Sequence, residues 1–395
     1  MSPNVYKSRR QALLKLIDGT GFALIAFDAM QQTNDAPGLF IQDSNFLYLT
    51  GINEPGWVLL VAINGKSTLI APNINRQQQI FDGSLSHKLA KQISGVDEIV
   101  VEKTDPLFLG NYLKEKVGLI TPKAQPKHYP FSPNPAQKRL HRKAIKAGAE
   151  PIDISLHLAK LRAIKDEQEI ASIKAAVRLT CESFIEVKKL LPKSSYEFQL
   201  AAQHTFNFMN QGRTHAYEPI VAGGVNACTL HYQQNNQPLP KNGLVLMDVG
   251  ARVNGYAADI TRTYAIGKPS EREKAVHNAV VRAHQKIIEL IKPGLMVKNY
   301  SNEVDEIMKQ ELRVLGLLNS EGDYRKYYPH AVSHGLGLDV HDSLGAPDKF
   351  LPGMVITVEP GIYIPEESIG VRIEDDILIT ETGSEVLSGM LPTSL

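Results

Sequence analysis

Residues 243–267 constrain the fold of this chain more than any other segment. They form two apolar runs separated by Asn254-Gly255, a dipeptide that favours a two-residue type I′ hairpin because both positions need a positive φ. A turn of this type pairs Val253 with Tyr256 and fixes the register of both strands. The segment is therefore expected to be an antiparallel hairpin.

The same hairpin brings two aspartates together. Counting outward from the turn pairs Gly250 with Asp259, and Asp248 projects from the same face of the ribbon as Gly250. Asp248 and Asp259 are then diagonal neighbours, with Cβ atoms about 7 Å apart or less. Two carboxylates at that separation repel each other unless a positive group lies between them. Small neighbours such as Ala257 and Ala258 leave space for such a group, and a hairpin with solvated acids is the alternative.

Composition excludes several classes of protein. The chain has 395 residues, enough for two domains, with 43% apolar and 22% charged residues as in ordinary globular proteins. Lys plus Arg (43) and Asp plus Glu (42) nearly cancel, so no nucleic-acid partner is expected. The longest apolar runs, such as 57–63, are too short to span a membrane, and a signal peptide is not expected. Cys181 and Cys228 form no CxxC pair, which favours a reducing cytoplasm.

The first part of the chain alternates helical and strand patterns to about residue 150 and has no dense cluster of histidines and acids. We expect it to shape or cover a site rather than to hold the chemistry. The domain boundary is placed after residue 157, giving domains 1–157 and 158–395. The patterns predict helices at 6–17, 88–92 and 136–147, and strands at 22–27, 46–50, 57–63, 67–71 and 98–101.

The second part contains three capping-box spacings, each of which predicts the start of a helix. The pairs are Asp166 with Glu169, Ser194 with Glu197, and Ser270 with Glu273. This part also suggests an internal repeat. In each half a helix (194–210 or 299–315) precedes a histidine segment, an apolar strand that ends in an acid, and a second acidic strand. Two related halves would place their strands side by side in one sheet.

Four acids and one histidine of this part could bind two divalent cations. The acids are Asp248, Asp259, Glu359 and Glu374. Their charges sum to −4, which two divalent cations would neutralise, and His334 can add a neutral imidazole. Ligation that is rich in oxygen favours Mn²⁺ before Zn²⁺. Two metals about 3.5–4 Å apart lower the pKa of a shared water and polarise a carbonyl, an arrangement suited to hydrolysis.

Several motifs closely resemble those of the pita-bread metallopeptidases that cleave Xaa-Pro bonds, namely aminopeptidase P and prolidase. They are HYQQNN, MDVG followed by DITRTY, SHGLGLDVHD, TVEPGIYI and GVRIEDDILIT, together with LRAIKDEQEI and, in the first part, QDSNFLYLTGINEP. The resemblance implies an N-terminal creatinase-like α/β domain, followed by a C-terminal pita-bread α+β domain with pseudo-two-fold halves.

The resemblance also implies the metal ligands. Asp248 would chelate one metal, His334 and Glu359 would hold the other, and Asp259 and Glu374 would bridge them. Two divalent ions are expected, Mn²⁺ first, with Zn²⁺ or Co²⁺ as alternatives.

The catalytic roles follow from the same resemblance. Glu359 would move a proton from the water to the leaving proline nitrogen. His231 and His341 would hydrogen-bond the substrate carbonyl or the oxyanion, and Arg372 would organise the groups around the ligands.

The substrate would meet three further side chains. His330 would line the pocket, and Tyr363 would contact the substrate side of the site and an aspartate of the N-terminal domain, Asp35. The free amino group of the substrate would lie by Asp248, which limits cleavage to the first bond of a peptide.

We therefore expect an Xaa-Pro aminopeptidase that acts on small peptides with proline in second position. The alternative is an Xaa-Pro dipeptidase, because the segment from Glu359 to Glu374 is short (374 − 359 = 15 positions), as in compact prolidases. A metal-free peptide-binding pseudo-enzyme and a creatinase-like enzyme are disfavoured by the full ligand set, and a methionine aminopeptidase is disfavoured by the large first domain. A cytoplasmic homo-oligomer, dimer or tetramer, is expected.

Overall fold

The computed structural model of the chain describes residues 1–28, 39–101, 112–113, 116–120 and 134–395. These residues form two units, Met1–Leu161 and Arg162–Leu395, each with its own hydrophobic core. The division between the units lies close to the predicted boundary after residue 157. Asp35, the expected partner of Tyr363, lies outside the described residues.

The described residues of the first unit contain a mixed sheet of six strands. The strands are β1 (Phe22–Ile25), β2 (Val58–Val61), β3 (Ser67–Ala71), β4 (Glu98–Val101), β5 (Val117–Leu119) and β6 (Pro151–Asp153), and the helices are α1 (Pro3–Leu16), α2 (Ser44–Thr50), α3 (Arg76–Asp82), α4 (His87–Ser94) and α5 (Pro135–Lys146). The strand order is β4-β3-β2-β1-β5-β6. Leu140 and Ala144 of α5 pack with Ala23 and Leu60 of the sheet, as expected for an α/β layer.

One predicted strand of this unit is wrong, because residues 46–50 belong to α2. Asp43 caps this helix and accepts hydrogen bonds from the N–H groups of Asn45 and Phe46, both at 3.0 Å. Gly51 ends it in the left-handed conformation at φ 69°. The two caps outweigh the strand preference of the aromatic side chains between them. The other predicted strands and helices of this unit are confirmed, with ends shifted by a few residues.

The second unit combines antiparallel strands with long helices. The strands are β7 (Thr214–His215), β8 (Ile220–Gly223), β9 (Gly243–Val249), β10 (Ala251–Val253), β11 (Tyr256–Ala257), β12 (Ile260–Ile266), β13 (Val355–Val358), β14 (Gly361–Ile364), β15 (Ile369–Arg372), β16 (Asp375–Ile379) and β17 (Ser384–Val386). Helix α6 (Ser155–Ala163) spans the division between the units. The helices of the second unit are α7 (Glu167–Lys188), α8 (Glu197–Met209), α9 (Glu271–Leu290), α10 (Val297–Val314) and α11 (Glu321–Tyr327). Within the residues that the structure describes, no helix combines the length and the apolar character needed to cross a membrane.

The predicted central hairpin is confirmed. Asn254 and Gly255 have φ values of 53° and 89°, and Val253 pairs with Tyr256. The same register continues between β9 and β12 on the far side of Gly250. The turn therefore aligns the two strands that carry the aspartates.

Two of the three predicted capping boxes are confirmed, those that open α7 and α9. The third, between Ser194 and Glu197, is wrong. Helix α8 begins at Glu197, and the side chain of Gln199 caps it by accepting hydrogen bonds from the N–H groups of Ser195 (2.7 Å) and Tyr196 (3.0 Å). The side chain of Glu197 is fully buried instead.

The two halves of this unit repeat one pairing. β13 pairs antiparallel with β16, as β9 pairs with β12. The halves meet at a bridge between Thr261 and Glu374, where the N–H of Glu374 donates to the carbonyl of Thr261 at 3.0 Å. The expected fold class, α/β followed by α+β, is confirmed, whereas the internal sequence repeat stays a prediction. The expected single sheet is wrong, because β9 and β12 lie in one sheet and β13 and β16 in another, with an isolated bridge between the halves at Thr261.

We expect Gly250→Ala to destabilise the second unit. A Cβ atom on Gly250 would lie 1.9 Å from the carbonyl oxygen of Ala258 and 2.8 Å from Cε1 of Tyr217, so the hairpin would have to open. Overpacking of this kind costs about 1–3 kcal/mol or more. Thermal unfolding followed by circular dichroism measures the effect as a lower Tm.

The control is Gly383→Ala, because a Cβ atom at Gly383 would meet nothing within 4 Å. It should change the free energy of unfolding by no more than about 0.5 kcal/mol. Equal Tm values for the two variants would contradict the close strand contact at Gly250.

Candidate metal centre

The hairpin brings the carboxylates of Asp248 and Asp259 to one point. Asp248 lies in β9, and Asp259 directly precedes β12. The hydroxyl oxygen of Tyr217 lies 2.5 Å from Oδ1 of Asp248 and 2.6 Å from Oδ1 of Asp259. One phenol proton cannot serve both oxygens at once, so the two carboxylates lack a full set of donors at this point.

Arg372 connects these acids to the second half of the unit. Its Nη2 donates to Oδ2 of Asp248 at 2.5 Å, and its Nε donates to Oγ1 of Thr261 at 3.1 Å. Thr261 in turn donates its hydroxyl to Oε2 of Glu374 at 2.7 Å. Since Glu374 lies between β15 and β16, one guanidinium and one hydroxyl orient carboxylates from both halves.

His334 lies between two carboxylates. Its Nδ1 is 3.0 Å from the carbonyl oxygen of Gly335, and a carbonyl only accepts, so Nδ1 carries a proton. Nε2 lies 3.5 Å from Oδ2 of Asp259 and 3.5 Å from Oε1 of Glu359. In a neutral imidazole this nitrogen would present a lone pair to two carboxylates, so a proton or a cation must lie between them.

The pKa values of the acids also show that the pocket lacks positive charge. Burial raises the pKa of Glu359 to about 7, with Asp259 adding to the rise. Burial, followed by the charge of Asp259, also raises the pKa of Glu374 well above its usual value. Burial raises the pKa of Asp248 although Arg372 opposes the rise. The acids of this pocket cannot all be ionised at neutral pH unless positive charge joins them.

These observations fit divalent metal ions. Asp259, His334 and Glu374 each offer a ligand atom, and the three atoms lie within 4.8 Å of one another. Asp259 and Glu359 outweigh the burial that would lower the pKa of His334 and raise this pKa to about 9. A site that attracts a proton so strongly would also attract a metal ion in its place.

A second group of side chains forms one wall of the pocket. Nδ1 of His330 is 2.7 Å from the carbonyl oxygen of Ala331, and Nε2 lies 2.8 Å from the hydroxyl of Tyr363. Arg372 donates to the same hydroxyl at 3.0 Å, so Tyr363 can donate to Nε2. Burial, followed by the charge of Arg372, lowers the pKa of His330 to about 4. His330 is therefore neutral, with both nitrogens engaged.

His341 and His231 complete the set. The ring of His341 stacks on that of His334, with centroids 3.9 Å apart and an interplanar angle of 14°. Burial, followed by the charge of His334, lowers the pKa of His341 to about 4. His231 is exposed and lies in the loop whose Cys228 donates its thiol to the carbonyl of Ile369 in β15 at 3.3 Å.

The structure thus brings the predicted site residues of the second unit into one region. They are Asp248, Asp259, His334, Glu359, Glu374, His231, His341, Arg372, His330 and Tyr363. Sequence reasoning missed Tyr217 and Thr261. Thr261 lies two positions after Asp259 on the same strand face, a signal that could have identified it. Tyr217 lies outside every motif of the sequence, and no local signal points to it.

Comparisons with known proteins agree with this geometry. Residues 171–381 match the model for metallopeptidase family M24, and residues 6–117 match the model for the aminopeptidase P N-terminal domain. The Xaa-Pro aminopeptidase of Haemophilus influenzae is 34% identical over 94% of this chain and 91% of the relative.

Solved structures are similar along the whole chain. Proline aminopeptidase P II from Yersinia pestis has a TM-score of 0.87 at 30% identity, covering 100% of this chain and 97% of that structure. A zinc-substituted Escherichia coli aminopeptidase P in complex with product has a TM-score of 0.86 at 27% identity, covering 100% and 96%.

We expect Asp259→Asn to remove most of the metal binding. Asp259 faces both His334 and Tyr217, so its loss removes a charge from the centre of the cluster. Mn²⁺ at about 100 times its dissociation constant should stabilise the wild type by about 2.7 kcal/mol, seen as a higher Tm, and should scarcely move the variant. Calorimetric titration gives the stoichiometry.

Glu385→Gln is the matched control, because this exposed carboxylate pairs with Lys174 on the surface. It should respond to Mn²⁺ as the wild type does. An equal rise in Tm for Asp259→Asn would contradict the assignment of Asp259 as a ligand.

Proposed function

The chain belongs to metallopeptidase family M24, and from this membership we propose that it is an Xaa-Pro aminopeptidase, which releases the first residue of a peptide when proline is second. One observation carries the proposal: Asp259 and Glu374, acids from the two halves of the unit, offer ligand atoms within 4.8 Å of each other and of the His334 imidazole, and Glu359 lies 3.5 Å from the same imidazole. The similarity of the whole chain to Xaa-Pro aminopeptidases supports the choice of substrate.

Five side chains would hold two divalent metal ions. They are Asp248, Asp259, His334, Glu359 and Glu374. When bound, the ions would activate a water and polarise the scissile carbonyl. Oxygen donors outnumber the single nitrogen, which supports Mn²⁺ as the ion that the protein uses.

Glu359 is the group that would move protons. It would accept a proton from the attacking water and pass it to the proline nitrogen that leaves. Such a transfer is efficient when the pKa of the group is close to the working pH.

His231 and His341 would donate to the substrate carbonyl oxygen as negative charge develops on it. The stack of His341 on His334 holds that ring beside the ligands. His330 would act differently, because its Nδ1 donates to Ala331 and its Nε2 accepts from Tyr363. It would present the face of its ring to the substrate rather than an N–H group.

The free amino group of the substrate would lie beside Asp248, which is oriented by Arg372 and Tyr217. This placement would limit cleavage to the first peptide bond. An Xaa-Pro dipeptidase is the second candidate, supported by the short segment between Glu359 and Glu374 (374 − 359 = 15 positions).

Three further features belong to the same proposal: domains 1–157 and 158–395, a cytoplasmic location, and assembly into a homo-oligomer of two or four copies. The matched ranges 6–117 and 171–381 fall within the two domains and support them. The free thiols of Cys181 and Cys228 support a reducing compartment. The oligomeric state stays a prediction that light scattering would measure.

A peptide panel tests the function. With Mn²⁺ added, we expect turnover of an Xaa-Pro-Yaa tripeptide, and kcat/KM should fall at least about 100-fold for the matching Xaa-Ala-Yaa peptide, which lacks the proline ring. Turnover of the Xaa-Pro dipeptide alone would favour the dipeptidase. No turnover of either proline peptide would refute both candidates.

His341→Ala tests the stabilisation of the oxyanion. Loss of one donor to developing charge should lower kcat by about 10²–10³ and leave KM within about threefold. Steady-state kinetics on the tripeptide separate the two constants. A change confined to KM would mean that His341 only binds substrate.

A further inference from the structure

Glu197 is a buried acid outside the cluster of metal ligands. It is the first residue of α8, and its side chain has no exposed surface. The sequence assigns it to a helix cap, but the structure gives that task to Gln199. A charged group that breaks a local pattern and is buried instead needs another reason for its position.

Four groups of one loop donate hydrogen bonds to the Glu197 carboxylate. Oε1 accepts from the N–H of Gly223 and from Nδ2 of Asn226, both at 3.0 Å. Oε2 accepts from the hydroxyl of Tyr232 at 2.8 Å and from the N–H of Gln237 at 3.0 Å. Both oxygens are thus saturated, and the loop 223–237 is closed on one carboxylate at its start, its middle and its end.

A second anchor fixes the same loop to β8. Asn235 adopts the left-handed conformation at φ 47°. Its Oδ1 accepts from the N–H of Val221, and its Nδ2 donates to the carbonyl of Pro219, both at 2.7 Å. The loop 223–237 is therefore attached to Glu197 by four hydrogen bonds and to residues 219–221 by the side chain of Asn235.

His231 lies in this loop, next to Tyr232. It is exposed while its neighbour is buried, so the bond from Tyr232 to Glu197 turns the chain such that the imidazole points away from the interior. Cys228 of the same loop donates its thiol to the carbonyl of Ile369 at 3.3 Å, and Ile369 opens β15, the strand that ends at Arg372. The loop that carries His231 therefore packs against the strand that supplies Arg372 to the candidate metal centre.

We propose that Glu197 is a positioning residue for catalysis, whose carboxylate fixes the loop 223–237 so that His231 reaches the substrate carbonyl. The inference rests on the proposed function, because His231 has its role only there. A displacement of about 1 Å at a group that contacts the substrate can lower the rate 10²-fold. A carboxylate suits four donors, whereas the amide of glutamine would turn an N–H₂ group towards two of them.

The test is a double-mutant cycle with Glu197→Gln and His231→Ala, measured with the Xaa-Pro-Yaa tripeptide and Mn²⁺. Glu197→Gln should lower kcat about tenfold, with KM and the Mn²⁺ stoichiometry unchanged. In the His231→Ala background the same substitution should change kcat by less than about twofold, because the group it positions is gone. This non-additivity, which measures the coupling of Glu197 to His231, is what a merely structural residue would not produce.

Two results would overturn the inference: an equal loss of kcat in both backgrounds, or His231→Ala with the kcat of the wild type. The wild-type assay in the same experiment tests the proposed function separately. An active wild type with an additive cycle refutes the positioning role alone, whereas an inactive wild type refutes the peptidase.

A milder variant and a control cover the case in which Glu197→Gln folds poorly. Tyr232→Phe removes one of the four donors and should lower kcat about threefold, again only when His231 is present. Glu311→Gln is the matched control, since Glu311 is also buried but pairs with Arg282 and Lys286. It should leave kcat unchanged, and its Tm reports the cost of losing a buried carboxylate.

Hydrogen exchange gives a readout that does not depend on activity. Amides of the loop 223–237 should exchange faster in Glu197→Gln, and amides of α10 should not. Unchanged exchange in the loop would show that Glu197 does not fix it.

Discussion

The second unit is organised around the repulsion between carboxylates in one buried pocket. Two unit charges about 4 Å apart repel by about 4 kcal/mol at an effective dielectric constant near 20, and four acids meet here. Arg372 donates a hydrogen bond directly to Asp248, but its link to Glu374 passes through the neutral hydroxyl of Thr261. The neighbouring positive groups therefore do not balance the four acids. The remaining charge is left to ions or protons, and the high pKa of Glu359 reflects this.

A pocket of this kind requires a rigid backbone, because the carboxylates would otherwise move apart. The acids lie in strands or directly beside them: Asp248 in β9, Asp259 before β12, Glu359 after β13, and Glu374 between β15 and β16. Backbone ladders on both sides fix these positions, and the bridge from Thr261 to Glu374 joins the two ladders. The strands therefore hold Asp259 and Glu374 with ligand atoms within 4.8 Å of each other, instead of letting them separate.

Features that depend on neighbouring residues in the chain, such as turns and strand register, were predicted correctly from the sequence. The turn at Asn254 and Gly255 set the register of the hairpin, and that register placed the two aspartates correctly. Features that depend on distant contacts were missed. Tyr217 reaches the aspartates only because the chain folds back from another segment, and residues 46–50 formed a helix because the caps at Asp43 and Gly51 lie outside the apolar run. Glu197 matched a capping box in the sequence, but its carboxylate accepts hydrogen bonds from the loop 223–237 instead.

Some buried acids of this protein are satisfied by hydrogen bonds and cations within the chain, whereas others are not. Glu197 receives four hydrogen bonds. Asp375 is bonded by Arg262 and His284, which outweigh the burial that would raise its pKa and lower the pKa to about 2. Both acids are satisfied within the chain and need no ligand. Glu374, adjacent to Asp375 in sequence, has the opposite shift, with a pKa well above its usual value. Since the two neighbours share the same depth and backbone, burial alone does not distinguish them. The carboxylate of Asp375 is bonded by the Arg262 guanidinium, whereas that of Glu374 accepts a neutral hydroxyl from Thr261. Asp376 also has a raised pKa, so the ligand role proposed for Glu374 rests on its position beside Asp259 and His334.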